Sequence, residues 1–266
     1  MTHPTVWLAQ WDVAWEDPAR NCAAVEDLLS ADPAPPGALI VLPEMFSTGF
    51  SMNVATIAED ENGPTHTWVR RIAAETRCTV VAGVVRRSPS GRGHNVAYCV
   101  GPNGHPVADF AKVHPFRFAG EHDHYDGGGQ VTTFAWEGLT VCPIVCYDLR
   151  FPELFRLGVD HGANLFVVIA NWPTPRVDHW SLLLRARAIE NQAFVVGVNR
   201  VGDDPFVRYP GRSAVIDFLG RTLVEMGPRS GVAIAQLDRD GLSAYRAKFP
   251  ALADRRILIQ PPGDPS

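Results

Sequence analysis

The chain has 266 residues, 46% of them apolar and 20% charged, with a formal net charge of −5. That is too apolar for a disordered chain, and with no run of Lys or Arg longer than two it excludes a nucleic-acid or membrane-surface binder. Its length sits at the upper end of what one core can hold, so one domain over 1–266 is expected, with a short Pro-rich tail from about 260, and its partner is a small molecule.

Taken in chain order, short apolar runs alternate with helical patterns. TVWLAQWD (5–12) reads as a strand, and RNCAAVEDLLS (20–30) sets Cys22, Val25 and Leu28/Leu29 on one helical face. The run ALIVL (38–42) is a buried strand stopped by Pro43. THTWVRRIAAETR (65–77) places Trp68, Val69, Ile72 and Ala73 on one stripe, and the β-branched strand CTVVAGVV (78–85) follows. Residues 94–113 and 130–148 each read as a hairpin. The second half returns to strand (164–170), helix (179–192) and strand (193–199), then a closing antiparallel set and a short helix around 240–248. This interleaving predicts a mixed α/β layered domain with its helices outside.

Five cysteines, at 22, 78, 99, 142 and 146, give no disulfide framework. With an N-terminus that lacks a basic segment followed by a long apolar one, reduced thiols point to the cytoplasm. Two of the five stand in CPIVCYDLRFPELF (142–155). Alternation gives Cys142, Ile144 and Cys146 one face, which reads Cys142 as a small buried hydrophobe. Cys146 differs, because the apolar run ends there and Pro152 is placed to open a helix. A nucleophile at a strand-to-helix turn leaves the sheet, and the amide of Tyr147 points at the oxygen of a carbonyl it attacks. A third reading, a Cys-x3-Cys metal pair, lacks a second pair at zinc spacing.

A thiol needs a base or a cation beside it to react. Glu44 follows ALIVLP, and Lys112 ends VADFA before VHPF. With Cys146 they are three reactive groups on strand ends with a Pro close by, and in layered α/β folds such ends converge on one rim.

LPEMFSTGF, AKVHPFRFAGEHDHYDGG and VCYDLRFPELFR, in that order and continued by NWPTPRVDHWSLLLRARAIENQAFVVGVNRVG (171–202), resemble the nitrilase superfamily of carbon-nitrogen hydrolases over nearly the whole chain. The resemblance implies a four-layer α-β-β-α sandwich, pairing through outer helices into a homodimer, with higher assemblies open. It implies a Glu44-Lys112-Cys146 triad, with Glu121 as a second glutamate and no cofactor. Glu44 serves as general base, Lys112 and the Tyr147 amide as the oxyanion hole.

Nitrilases proper carry Trp-Glu after the cysteine, whereas here Tyr147-Asp148 stands, which favours amides over nitriles. CYDLRFPELFR with NWPTPR looks most like the omega-amidase branch, which removes ammonia from 2-oxoglutaramate and 2-oxosuccinamate. Such substrates end in a carboxylate, for which Arg176 is the first candidate and Arg117 the second, with Trp172 and Phe116 as apolar walls. Arg150 reads as a structural partner for an acid beneath its turn. The histidines and Asp123 of GEHDHYDGG do not read as a metal site, since neighbours in a loop rarely converge on one ion, and Gly127-Gly128-Gly129 reads as a mobile loop closing over substrate. Two other readings stay open: an N-carbamoyl amino acid hydrolase or deaminated glutathione amidase of the same superfamily, and a non-catalytic binding protein on this fold.

Overall fold

The computed structural model describes residues 3–256; the Pro-rich tail expected from about 260 lies outside them. Its strands are β1 (Thr5–Gln10), β2 (Leu39–Val41), β3 (Thr79–Arg87), β4 (Gly93–Val100), β5 (Pro106–Ala111), β6 (Phe134–Trp136), β7 (Leu139–Val145), β8 (Leu165–Ala170), β9 (Phe194–Asn199), β10 (Val201–Asp203), β11 (Arg208–Pro210), β12 (Ala214–Ile216), β13 (Thr222–Glu225) and β14 (Gly231–Gln236). The helices are α1 (Pro18–Ala31), α2 (Val54–Ile57), α3 (Pro64–Thr76), α4 (Glu121–His124), α5 (Pro152–Asp160), α6 (Val177–Asn191) and α7 (Arg239–Lys248). Among the described residues no helix is long and apolar enough to cross a membrane.

Two six-stranded sheets form, in the orders β14-β1-β2-β3-β4-β5 and β13-β12-β9-β8-β7-β6, and β10-β11 stand apart as a small hairpin. Both follow one scheme: three parallel strands in the middle (β1-β2-β3 and β7-β8-β9) with antiparallel strands added on either side. The closing antiparallel set expected from sequence is divided between the sheets. β12 and β13 extend the second, while β14 crosses back to pair with β1.

Strand periodicity sorts the layers. Val6 and Leu8 of β1, Leu39 and Val41 of β2, Ala97 and Cys99 of β4 and Phe110 of β5 join the second sheet in one core cluster. The alternate residues Trp7, Ala9, Ile40, Val80 and Ala82 pack instead with Val25 of α1 and Trp68, Val69 and Ile72 of α3. On the far side, α5 and α6 cover the second sheet, with Phe155, Trp180 and Leu184 buried beneath them. The layers therefore run α-β-β-α. Pro18, Pro64 and Pro152 each open a helix at its first turn, where the missing N–H costs no hydrogen bond.

Candidate active site

The parallel strands of both sheets end at the same rim. β2 leads to Glu44, β7 to Cys146, β8 to Asn171, and antiparallel β5 runs up to Lys112. Lys112 shares the parity of Phe110, and Asn95 that of Ala97 and Cys99, so both project into the seam between the sheets.

Glu44 is held by an unusually close backbone approach. Beyond Pro43 the chain stays against β3, with Gly83 N–H donating to Pro43 O (3.1 Å) and Phe46 N–H to Gly83 O (2.9 Å). A Cβ on Gly83 would lie 2.4 Å from Glu44 Cα and 2.5 Å from Met45 N. Met45 then turns the chain at φ +44°.

Four donors from three strand ends converge on the Glu44 carboxylate. Oε1 accepts from Lys112 Nζ (2.9 Å) and Asn95 Nδ2 (2.6 Å), and Oε2 from the Asn171 amide N–H (2.7 Å) and, at 3.4 Å, Asn171 Nδ2. Lys112 Nζ also reaches both oxygens of Glu121 (3.1 and 2.8 Å), and Asn95 Nδ2 bridges to Glu121 Oε1 (3.0 Å). Glu44, Lys112 and Glu121 are all fully buried, at no more than 1% exposed. Charges taken this far from water persist only when paired and hydrogen-bonded. Burial opposes the Lys112 ammonium, but Glu121 and Glu44 outweigh it and hold Lys112 well above its ordinary value. Burial, helped by Glu44 and resisted by Lys112, pushes Glu121 up.

Cys146 begins a tight 3-10 turn, Cys146–Arg150, at φ +46°, left-handed backbone that costs a non-glycine residue about 1–3 kcal/mol. This turn corrects the simple alternation. Cys142 faces α5, its Sγ 3.1 Å from where a Cβ on Gly158 would stand; the left-handed step at Cys146 breaks that alternation, and Cys146 lines the cavity together with Lys112. Cys142 lies about 13 Å back along the strand and does not line the site. Burial first, then the Glu44 charge, push the Cys146 thiol well above its usual range against the pull of Lys112. That direction favours the thiol form of Cys146 over the thiolate.

Two further elements lock the rim. Asp148, fully buried, accepts from Val113 N–H (3.0 Å), His114 N–H (2.9 Å) and His114 Nδ1 (2.7 Å), and the His114 ring stacks on Phe151 at 3.6 Å. Asn199 at the end of β9 accepts from Trp172 N–H (2.7 Å) and donates to Trp172 O (3.0 Å), fixing the buried Trp172 at the cavity wall.

A cavity of about 340 Å³ opens above Cys146, with Lys112, Asn171, Tyr147 and Trp172 at its inner end and the hairpin tip Asp204–Val207 as its outer wall. Phe116 and Arg176 line it as well. Arg117 does not: it is exposed and stands outside the lining. Arg150 corrects the structural reading of that residue. It lines the cavity, forms no ion pair among the described residues, and lies over Trp172 at 4.9 Å with its Nη2 3.1 Å from His179 Nδ1. Arg176 is likewise carried on aromatic faces, 5.3 Å from Phe116 and 5.7 Å from Phe118.

The glycine run is a brace and not a cover. Gly128 N–H donates to Lys112 O (2.8 Å), and a Cβ there would stand 2.2 Å from Ala111 O, so only glycine fits against the strand end that carries Lys112. Among the described residues no group of His, Cys, Asp and Glu gathers as metal ligands would; His114 is turned to Asp148 and His122 to Asp123. Sequence reasoning missed Gly83, Asn95, Asn171 and Asn199. The available signal was polarity out of place, as in Asn95 within the apolar strand HNVAYCV.

The carbon-nitrogen hydrolase family profile matches residues 5–247. The chain belongs to that family. It is 40% identical to an omega-amidase of Yersinia enterocolitica, over 93% of this chain and 94% of that one. It is 32% identical to a 2-oxoglutaramate amidase of Bacillus subtilis, over 95% and 97%. Among solved structures it superposes at a TM-score of 0.91 and 37% identity on a family member from Xanthomonas campestris with an arsenic adduct in its active site, over 98% of this chain and all of that one. These likenesses mark an amide-hydrolysing enzyme of the nitrilase superfamily in its omega-amidase-like branch, with that superfamily's sandwich.

Proposed function

We propose that the protein is an omega-amidase, cleaving the terminal amide of short dicarboxylic acid monoamides such as 2-oxoglutaramate and 2-oxosuccinamate to the acid and ammonia. The observation that carries the chemistry is a buried set at one rim: the Glu44 carboxylate bonded to the Lys112 ammonium (2.9 Å), with Cys146 and Lys112 lining the same cavity. Glu44 takes the thiol proton as sulfur attacks the amide carbon. Lys112 has three N–H groups; one serves Glu44 and one is shared between the two oxygens of Glu121, which leaves the third for the oxyanion. The Tyr147 amide, second in its 3-10 turn and so without a partner inside it, is the other donor. Protonated Glu44 gives its proton to the departing nitrogen, ammonia leaves, and a thioester stays on Cys146. Glu44 then deprotonates a water that attacks the thioester, and the proton returns to the sulfur as the acid is released. Glu121 orients Lys112 throughout.

The substrate class is supported by the names of the two relatives and by the cavity's charge. Among the described residues Arg150 and Arg176 present guanidinium groups without a carboxylate partner, and the one lining carboxylate, Asp204, is occupied by Tyr209 Oη (2.5 Å) and the N–H groups of Phe206 (2.7 Å) and Val207 (2.8 Å). An anionic far end suits that surface. Phe116 and Trp172 pack the carbon chain. The test is ammonia release from 2-oxoglutaramate beside glutamine, an N-carbamoyl amino acid and a simple nitrile; turnover of the carbamoyl compound in preference to the keto-amide refutes the assignment. A homodimer through the outer helices is part of the same reading, supported by the exposed Leu182 (68%) and Ile189 (56%) on α6. Light scattering that returns a single chain mass removes it.

A further inference from the structure

We infer that Asp148 is a positioning residue for the reaction: it sets Lys112 and the oxyanion pocket at their working distance from Cys146. The inference rests on the amidase reading of the same site. The nucleophile and the cation come from different sheets, Cys146 from the end of β7 and Lys112 from the end of β5. Hydrogen bonding within each sheet does not fix the distance between them, and the tie across the seam from Glu44 runs to Asn171 at the end of β8, not to the cysteine turn. Asp148, two residues beyond the nucleophile, spans that gap, since all three of its donors belong to Val113 and His114, the two residues directly after Lys112. The two backbone N–H groups and the His114 ring favour the carboxylate form against burial, which pushes Asp148 up. The His114 ring stacked on Phe151 adds a second tie to the segment that carries Cys146.

Lys112 is thus secured from several directions. Its own N–H donates to Asn95 O (2.8 Å), its carbonyl accepts from Gly128 (2.8 Å), and Asp148 draws the next two residues toward the cysteine turn. An asparagine at 148 would keep one acceptor oxygen and set an NH2 group against a backbone N–H or the imidazole. The tie would open on one side, and the oxyanion donors would shift while Cys146 and Glu44 stayed in place.

This separates two reactions of one sulfur. Alkylation of Cys146 by iodoacetamide needs the base and no oxyanion hole; addition to a carbonyl needs both. The experiment compares wild type, Asp148→Asn and His114→Gln in three measurements: the iodoacetamide rate at Cys146, the inhibition constant of butyraldehyde, which adds to the thiol as a hemithioacetal, and kcat and KM for 2-oxoglutaramate. For Asp148→Asn the alkylation rate should stay within about twofold of wild type, while butyraldehyde binding weakens and kcat falls by a similar factor, about 10- to 100-fold, with KM little changed. His114→Gln, which keeps the backbone donors, should show a smaller loss of the same kind. Equal losses in alkylation and aldehyde binding would mean general disorder of the site and overturn the inference, as would wild-type values throughout. If no amide is turned over by the wild type, the amidase reading fails on its own, and the alkylation and aldehyde pair still decides the role of Asp148.

Discussion

Gly83→Ala isolates what holds Glu44, the proposed general base, in place. The added Cβ would stand 2.4 Å from Glu44 Cα, 2.5 Å from Met45 N and 2.6 Å from Pro43 O, all backbone atoms that no rotamer change can move aside. Ordinary contact begins near 3.4 Å, so the Glu44 segment must retreat by about 1 Å from β3. A misplacement of that size costs about 10²-fold in rate, and the overpacking costs about 1–3 kcal/mol of stability, or roughly 2–4 °C of Tm per kcal/mol for a chain this long. Steady-state kinetics and a thermal melt read both. The expected result is a 10²-fold fall in kcat with KM changed little, in a protein still folded at the assay temperature. Gly129→Ala is the control, because nothing stands within 4 Å of its Cβ and its φ is not left-handed; it should match wild type. A Gly83→Ala enzyme with wild-type kcat would show that this close approach does not set the position of Glu44.

Other expectations concern the thiols and the cavity wall. In the proposed mechanism the proton of Cys146 passes to Glu44 without leaving the site, so its iodoacetamide rate should be nearly flat from pH 7 to 9. In Glu44→Gln burial still holds the thiol high, and because a raised pKa keeps the thiolate scarce below it, the rate should climb about tenfold per pH unit; a flat profile in that variant would remove Glu44 as the acceptor. Cys22, pushed up to about 12 by burial and by Glu26 and Glu59, should label slowly throughout. Cys146→Ala should abolish ammonia release, whereas Cys142→Ala should keep kcat and lose about 1 kcal/mol of stability, and a dead Cys142→Ala enzyme with wild-type Tm would contradict the placement of Cys142 against α5. Tyr209→Phe removes the hydroxyl that ties Asp204 to the hairpin and should raise KM about fivefold, near 1 kcal/mol, with kcat kept; a fall in kcat alone would refute a role confined to the outer wall.

Most of the layering could be read from periodicity, because burial on both faces leaves runs such as ALIVL and LFVVIA that only a central strand satisfies. Return paths were harder. That β14 joins β1 and not β13 depends on closing a sheet whose edge is more than two hundred residues away in sequence, and local pattern carries no such information. At the site, Glu44, Lys112 and Cys146 could be picked out as reactive groups at strand ends. Asn95 and Asn171 are defined by what they donate to, so they became visible only once Glu44 had a position. Arg150 was misjudged for a related reason: its neighbours Trp172 and His179 come from later in the chain and offer no acid. Gly127 to Gly129 suggested freedom where the fold uses the missing side chains for contact.

The two sheets share one strand scheme, and each supplies half of the reactive set: Glu44, Asn95 and Lys112 from the first, Cys146 and Asn171 from the second. Neither half encloses a base and a nucleophile together, so the apolar interface between them acts as a gauge block whose thickness is read out at the rim. Side chains such as Phe110 and Val141, remote from any substrate, therefore tune turnover by spacing alone. Warming that loosens this interface should silence the enzyme while both sheets still hold their hydrogen bonds.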